Sequence, residues 1–191
     1  MRKYGKIWED IPKTEKHENA EKPCNIGHLR RNTRLIWRYK TMIKILFICH
    51  GNICRSPMAE FVFNDLAQKR HLPAQADSCA TSTEEIGNDI HSGTRRMLRA
   101  HGVPFAPRAA RQLRRAEYDE YDSIIAMDSA NVRNILRITG GDPQDKVHKL
   151  LEYAGSARDV ADPWYTGDFE TTYADVCAGC EGLLDFLFGK K

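Results

Sequence analysis

The chain has 191 residues, 41% apolar and 29% charged, as expected of a soluble globular protein with one domain-sized core. Its net charge of +3 is unevenly placed: residues 1–41 hold eleven Lys/Arg against five Asp/Glu (+6), the remainder eighteen against twenty-one (−3). The basic surplus therefore belongs to the N-terminal stretch; it permits docking to nucleic acid or an anionic membrane, but without a recognition motif it reads as a solvated tail and no nucleic-acid partner is expected. No apolar run approaches the ~20 residues of a membrane span. The basic N-terminus lacks the ~7–15-residue apolar stretch of a secretory signal, so a cytoplasmic location is expected.

Residues 1–41 show no sustained period of two or 3.6 and carry Gly5, Pro12, Pro23 and Gly27, which reads as a disordered extension. Met42 is a candidate natural start, and residues 42–191 are the expected folded domain. Ile43–Ile48 is an apolar run predicting a strand buried on both faces. Pro57 suits a first helical turn, with Met58–Leu66 at helical spacing after it. Gln75–Ala80 predicts a second strand, and His91–His101 a helix closed by Gly102. Ser123–Met127 predicts a third strand, followed by a helix capped at Asp128 or Ser129, running to Ile138 and stopped by Gly140-Gly141. Val147–Leu151 is a candidate fourth strand, and Phe169–Phe188 a final amphipathic helix. This alternation predicts an α/β fold with an open, mostly parallel sheet and helices on both faces. Functional groups are then expected at the carboxyl ends of strands.

The six cysteines are 24, 49, 54, 79, 177 and 180. Without a secretion signal they read as free thiols. Cys177 and Cys180 form a lone CxxC with no second ligand pair, so no metal site is expected, and their spacing suits the core face of the last helix.

The first strand runs directly into Cys49-His-Gly-Asn-Ile-Cys-Arg-Ser-Pro57. A thiol placed in a tight turn before a helix N-terminus meets inward N–H groups and the positive end of the helix dipole, both of which favour the nucleophilic thiolate. The same ring of N–H groups, spanning His50, Gly51, Asn52, Ile53 and Cys54, matches a phosphate dianion. Arg55 adds a bidentate donor for phosphate oxygens, and Ser56 can donate its hydroxyl to the sulfur. Gly51 and Asn52 tolerate the left-handed backbone angles that converging N–H groups require.

The stretch Cys49-His-Gly-Asn-Ile-Cys-Arg-Ser-Pro-Met-Ala-Glu60 resembles the signature of the low-molecular-weight protein tyrosine phosphatases. The resemblance continues in Asp77-Ser78, Thr81-Ser82, Gly87, His101-Gly102, Ala110-Arg111-Gln112, Met127-Asp128, Asn131 and Asp162-Pro163, covering residues 42–191. It implies a four-stranded parallel sheet in a three-layer sandwich. It also implies a cofactor-free phosphatase that acts on tyrosine-phosphorylated proteins through a phosphocysteine. Asp162-Pro163-Trp164-Tyr165 is similar to the family's acid loop, so Asp162 is implied as general acid and Trp164 and Tyr165 as one wall of the substrate slot. Cys54 matches a position where a cysteine can trap the oxidised nucleophile as a reversible disulfide.

Three departures accompany the resemblance. Thr83-Glu84-Glu85 stands where the family often has an aromatic wall residue; its acidic residues read either as repelling acidic peptides or, the favoured reading, as a solvated loop. Arg108 stands near the place of a histidine that supports the catalytic loop. Trp164 replaces a common tyrosine.

Other readings are a phosphoarginine phosphatase, an arsenate reductase and a non-catalytic phosphate-binding module. Relatives acting on phosphoarginine tend to carry threonine where this chain has Ile53, whose aliphatic side chain suits an aryl ring. A reductase needs two more cysteines in a mobile segment, and none lies between Cys79 and Cys177. The intact set of Cys49, Arg55, Ser56 and Asp162 speaks against a non-catalytic module.

Overall fold

The computed structural model describes residues 42–189, so the expected N-terminal extension lies outside the described residues. In chain order the elements are β1 (Ile43–Cys49), α1 (Arg55–Lys69), β2 (Ala74–Ala80), α2 (Ser92–Ala100), α3 (Glu117–Glu120) and β3 (Ser123–Ala126). They continue with α4 (Ser129–Thr139), β4 (Val147–Lys149), a 3₁₀ turn (Leu150–Ala154), α5 (Pro163–Thr166) and α6 (Phe169–Phe188).

The four strands form one sheet in the order β2-β1-β3-β4, and every pairing is parallel. β1 explains why helices cover both faces. Its alternate residues Ile43, Ile45 and Phe47 face a core shared with Met58, Val62 and Phe63 of α1, Leu98 of α2 and Leu183 of α6. Leu46 and Ile48 point the other way, into a second core with Tyr118, Ile124 and Ile135. A strand with apolar side chains at both parities needs a layer on each side. The expected open four-stranded sheet with flanking helices is the fold observed.

The order of the strands places the site. From β1 the chain passes through α1 to β2 on one side, then returns to β3 on the other side of β1. The winding direction therefore reverses at β1, and a crevice opens at its carboxyl end, where Cys49 sits. Both neighbouring strands end at the same level, with Cys49 beside Ala80 and Ile48 beside Ala126.

Boundaries differ from expectation in a few places. β4 stops at Lys149, and Leu150 and Leu151 enter a 3₁₀ turn instead of extending the strand. Both leucines join the same core cluster, whereas a pleated strand would send them to opposite faces. His91 and His101 flank α2 as caps. The four-residue helices α3 and α5 are too short to carry a periodic signal. Cys180 is fully buried in the main core and Cys177 is partly buried beside it.

Candidate active site

Cys49 is the last residue of β1 and is 3% exposed. The loop after it is held from outside by its carbonyls. The Cys49 carbonyl accepts from Thr81 N–H at 2.9 Å, that of His50 from Ser82 N–H at 3.0 Å, and that of Ile53 from His91 N–H at 2.9 Å. Thr94 Oγ1 donates to the Cys54 carbonyl at 3.3 Å. In a trans peptide the C=O and the following N–H point in opposite directions. These outward bonds therefore turn the N–H groups of His50, Gly51, Cys54 and Arg55 the other way. Asn52 N–H donates to Cys49 Sγ at 3.2 Å.

Asn52 takes the left-handed conformation expected of the turn, with φ +59°. Gly51 does not, because it is not among the residues of positive φ; its requirement is space. A Cβ at Gly51 would lie 3.0 Å from Glu85 Cγ.

Ser56 Oγ stands 3.1 Å from Cys49 Sγ. Asn52 Nδ2 donates to that hydroxyl at 2.9 Å and to Ser78 Oγ at 2.7 Å. With Asn52 on a lone pair, the Ser56 proton has two acceptors in reach, the sulfur and the more distant Cys79 carbonyl at 3.4 Å. The nearer acceptor is the sulfur. One backbone donor and one hydroxyl thus converge on Sγ, an arrangement that stabilises negative charge there. Cys54, in contrast, has its thiol pushed up to about 12, by burial first and then by the negative charges of Cys49 and Asp162. It is a neutral thiol at physiological pH.

Arg55, 3% exposed, opens α1 and lies between two carboxylates. One terminal nitrogen is 2.7 Å from Asp128 Oδ2 and the other 2.5 Å from Asp162 Oδ2. Burial works against its charge, yet Cys49, Asp162 and Asp128 together more than offset that, and its pKa is raised. Each aspartate is itself fixed at a helix start. Asp128 Oδ1 accepts from Asn131 N–H at 2.6 Å, and Asp162 Oδ1 from Trp164 N–H at 3.1 Å. Asp128 is offered by the sequence as a helix cap and as part of the family resemblance, without a role at the site. Its place at the carboxyl end of the strand next to β1 is the signal that could have put it beside Arg55.

Arg108 stands behind the loop. Its guanidinium donates to Asn52 Oδ1 at 3.0 Å, to Ser78 Oγ at 2.7 Å and to the Ser78 carbonyl at 3.0 Å, and it is ion-paired with Glu60. The departure from histidine is therefore filled by an arginine that reaches the loop through Asn52.

A pocket of about 130 Å³ opens over Cys49 and Arg55, floored by His50, Gly51, Ile53 and Cys54, with Asp162, Trp164 and Tyr165 at its edge. That volume is several times the ~30 Å³ of a water molecule, enough for a phosphate group. Trp164 and Tyr165 are 61% and 85% exposed, so they border the mouth instead of filling a core. Glu84 and Glu85 also line it. Glu84, its side chain 70% exposed, is solvated as expected, while Glu85 is partly buried, because the bonds from Thr81 and Ser82 to the Cys49 loop pull the following turn up against it. Among the described residues, no group of three His, Cys, Asp or Glu is arranged to hold a metal ion.

A buried thiol receiving hydrogen bonds at the switch point of a parallel sheet, beside a buried arginine, is the framework of a cysteine-dependent phosphatase. The family described as low molecular weight phosphotyrosine protein phosphatase matches residues 44–191. The chain is 43% identical over 154 residues to the low molecular weight protein-tyrosine-phosphatase YfkJ of Bacillus subtilis, an alignment covering 78% of this chain and 99% of that one. It is 35% identical over 148 residues to PtpA of Staphylococcus aureus, covering 76% and 94%. The crystal structure of YfkJ superposes with a TM-score of 0.73 at 42% identity, covering 76% of this chain and 94% of that one. This chain belongs to the low molecular weight protein-tyrosine-phosphatase family.

Proposed function

We propose that the chain hydrolyses phosphotyrosine in proteins, with Cys49 as nucleophile, Arg55 as phosphate ligand and Asp162 as general acid. The observation that carries this is the convergence of Asn52 N–H and Ser56 Oγ on Cys49 Sγ, at 3.2 and 3.1 Å, beside the buried Arg55. The thiolate attacks phosphorus and forms an S–P bond. The P–O bond to the tyrosine ring breaks, and Asp162 protonates the departing oxygen. The inward loop N–H groups of His50, Gly51, Cys54 and Arg55 and the Arg55 fork hold the phosphoryl oxygens, while Asn52 N–H stays on the sulfur. Asp162 then takes a proton from water as that water attacks the phosphocysteine. The S–P bond breaks, and Ser56 and Asn52 receive the returning thiolate. Every step uses the chain's own groups.

Trp164 and Tyr165 take the ring, and the aliphatic Ile53 favours an aryl group over a guanidinium. Cys54, a neutral thiol at the other end of the loop from the nucleophile, is the resolving partner when Cys49 is oxidised. The catalytic domain spans residues 42–191, and residues 1–41 extend it without a catalytic group. The substrates are tyrosine-phosphorylated proteins of the cytoplasm, a setting supported by the free thiols; no described helix is long and apolar enough to cross a membrane.

Matched peptides carrying phosphotyrosine, phosphoarginine or phosphoserine test this reading. The phosphotyrosine peptide is expected to have the highest kcat/KM, both for the full chain and for residues 42–191. Faster turnover of phosphoarginine would reassign the substrate, and no turnover of any peptide would remove the catalytic reading.

A further inference from the structure

The pocket mouth carries a charge opposed to what a phosphate site needs. Glu84 and Glu85 both line it. Both are held in place: Glu84 Oε2 lies 3.0 Å from His50 Nε2, and Asn88 Nδ2 donates to Glu85 Oε2 at 2.7 Å. The Glu85 stem rests over Gly51, where any side chain would displace it. Glu85 has no ion-pair partner among the described residues, and Glu84 meets only a half-exposed histidine. Asp162 adds a third carboxylate at the same opening.

Two carboxylates beside a bound phosphate dianion repel it, and this cost falls on every ligand that brings phosphate alone. A ligand with a cation next to its phosphorylated residue turns the same groups into partners. The exposed rings of Trp164 and Tyr165 offer such a cation an aromatic face as well. We infer that Glu84 and Glu85 form a subsite for lysine or arginine, making the preferred substrate a phosphotyrosine flanked by basic residues. The inference rests on the phosphatase reading above and adds to it the sequence context of the substrate.

The test uses the full chain and phosphotyrosine peptides differing only in flanking Lys/Arg, Ala or Glu. Each exposed charge pair is worth about two- to fivefold, so basic flanks should exceed acidic flanks by roughly five- to twentyfold in kcat/KM, and less as salt is raised. Glu84→Gln with Glu85→Gln should bring the ratio to within about twofold, and Glu84→Lys with Glu85→Lys should invert it. Equal rates for all three flanks in the wild type, or an unchanged ranking in both double variants, would overturn the subsite and leave the phosphatase reading intact. Failure to turn over any phosphotyrosine peptide would overturn both.

Discussion

The guanidinium of Arg108 donates to Asn52 Oδ1 at 3.0 Å, while Asn52 Nδ2 donates to Ser56 Oγ at 2.9 Å and Ser56 Oγ lies 3.1 Å from Cys49 Sγ. A fixed positive charge thus reaches the nucleophile through two intervening side chains, Asn52 and Ser56. The same guanidinium neutralises Glu60, whose carboxyl is raised above its usual range by burial, with Arg108 opposing that rise. Removing Arg108 by Arg108→Ala should cost about 3 kcal/mol at neutral pH, because a largely buried carboxylate loses its partner. The sign follows from Glu60. Its folded-state pKa, already above the unfolded value, climbs further in the variant, so the deficit is largest where Glu60 must be charged. It shrinks as pH falls through that raised pKa. Arg108→Lys should regain most of the stability but not kcat, since an ammonium cannot reach Glu60, Ser78 and Asn52 together. Denaturant melts at two pH values and steady-state kinetics check this. A pH-independent deficit, or full kcat in the lysine variant, would contradict it.

Asp162 is tested through the leaving group. Tyrosine leaves with a pKa of ~10, so unassisted departure is slow. Asp162→Asn should slow phosphotyrosine hydrolysis by ~10²–10⁴ and hurt an activated aryl phosphate much less. Plotted against leaving-group pKa, the variant's rates should fall steeply and the wild type's gently. Parallel plots would make Asp162 structural and turn attention to Asp128.

His91 ties the loop to the acid segment. Its N–H holds the Ile53 carbonyl at 2.9 Å. Its ring stacks on Phe169, centroids 5.1 Å apart, and meets Trp164 edge-on at 6.4 Å. The stack depends on Gly93, whose Cβ would come within 2.4 Å of Phe169 Cζ. His91 Nδ1 also accepts from Gly93 N–H at 3.1 Å. His91→Asn keeps an acceptor for the cap and loses the ring, so KM for aryl substrates should rise roughly two- to tenfold with kcat little changed. His91→Phe keeps the ring and should hold KM near wild type. The opposite pattern would show that the cap, and not the ring, is what matters.

Cys54 can be tested by oxidation. Mild peroxide should inactivate the wild type, and a dithiol should restore it. Cys54→Ser should recover far less, since no neighbouring thiol traps the sulfenic acid before further oxidation. Equal recovery would take Cys54 out of the scheme.

What could be read from the chain alone divides by sequence distance. Cys49 to Pro57 is contiguous, and its strand-turn-helix logic follows from local rules, so the form of the loop was legible, and the chemistry proposed for it rests on the same residues. α6 was legible too, because Phe169, Val176, Cys180, Leu183, Leu184 and Leu187 recur at helical spacing. Asp162 is offered as an acid only by resemblance, since an Asp-Pro pair is ordinary turn chemistry. Residues reaching the site across the fold were marked by resemblance alone, and their partners were not. Asp128 meets Arg55 over 73 positions and Arg108 meets Asn52 over 56. Glu84 is solvated as read, but that Glu85 rests over Gly51 is not announced by anything nearby in sequence. Only the sheet order brings those partners together.

A covalent phosphocysteine on Cys49 can be trapped during turnover. The full chain is mixed with a ³²P-phosphotyrosine peptide, quenched within milliseconds in acid, digested and mapped. The label should sit on the peptide containing Cys49 as an S–P bond, and its appearance should match a burst of released tyrosine peptide. Cys49→Ser should give neither label nor turnover while still binding vanadate. Label on another residue, or turnover by Cys49→Ser comparable to wild type, would contradict the account.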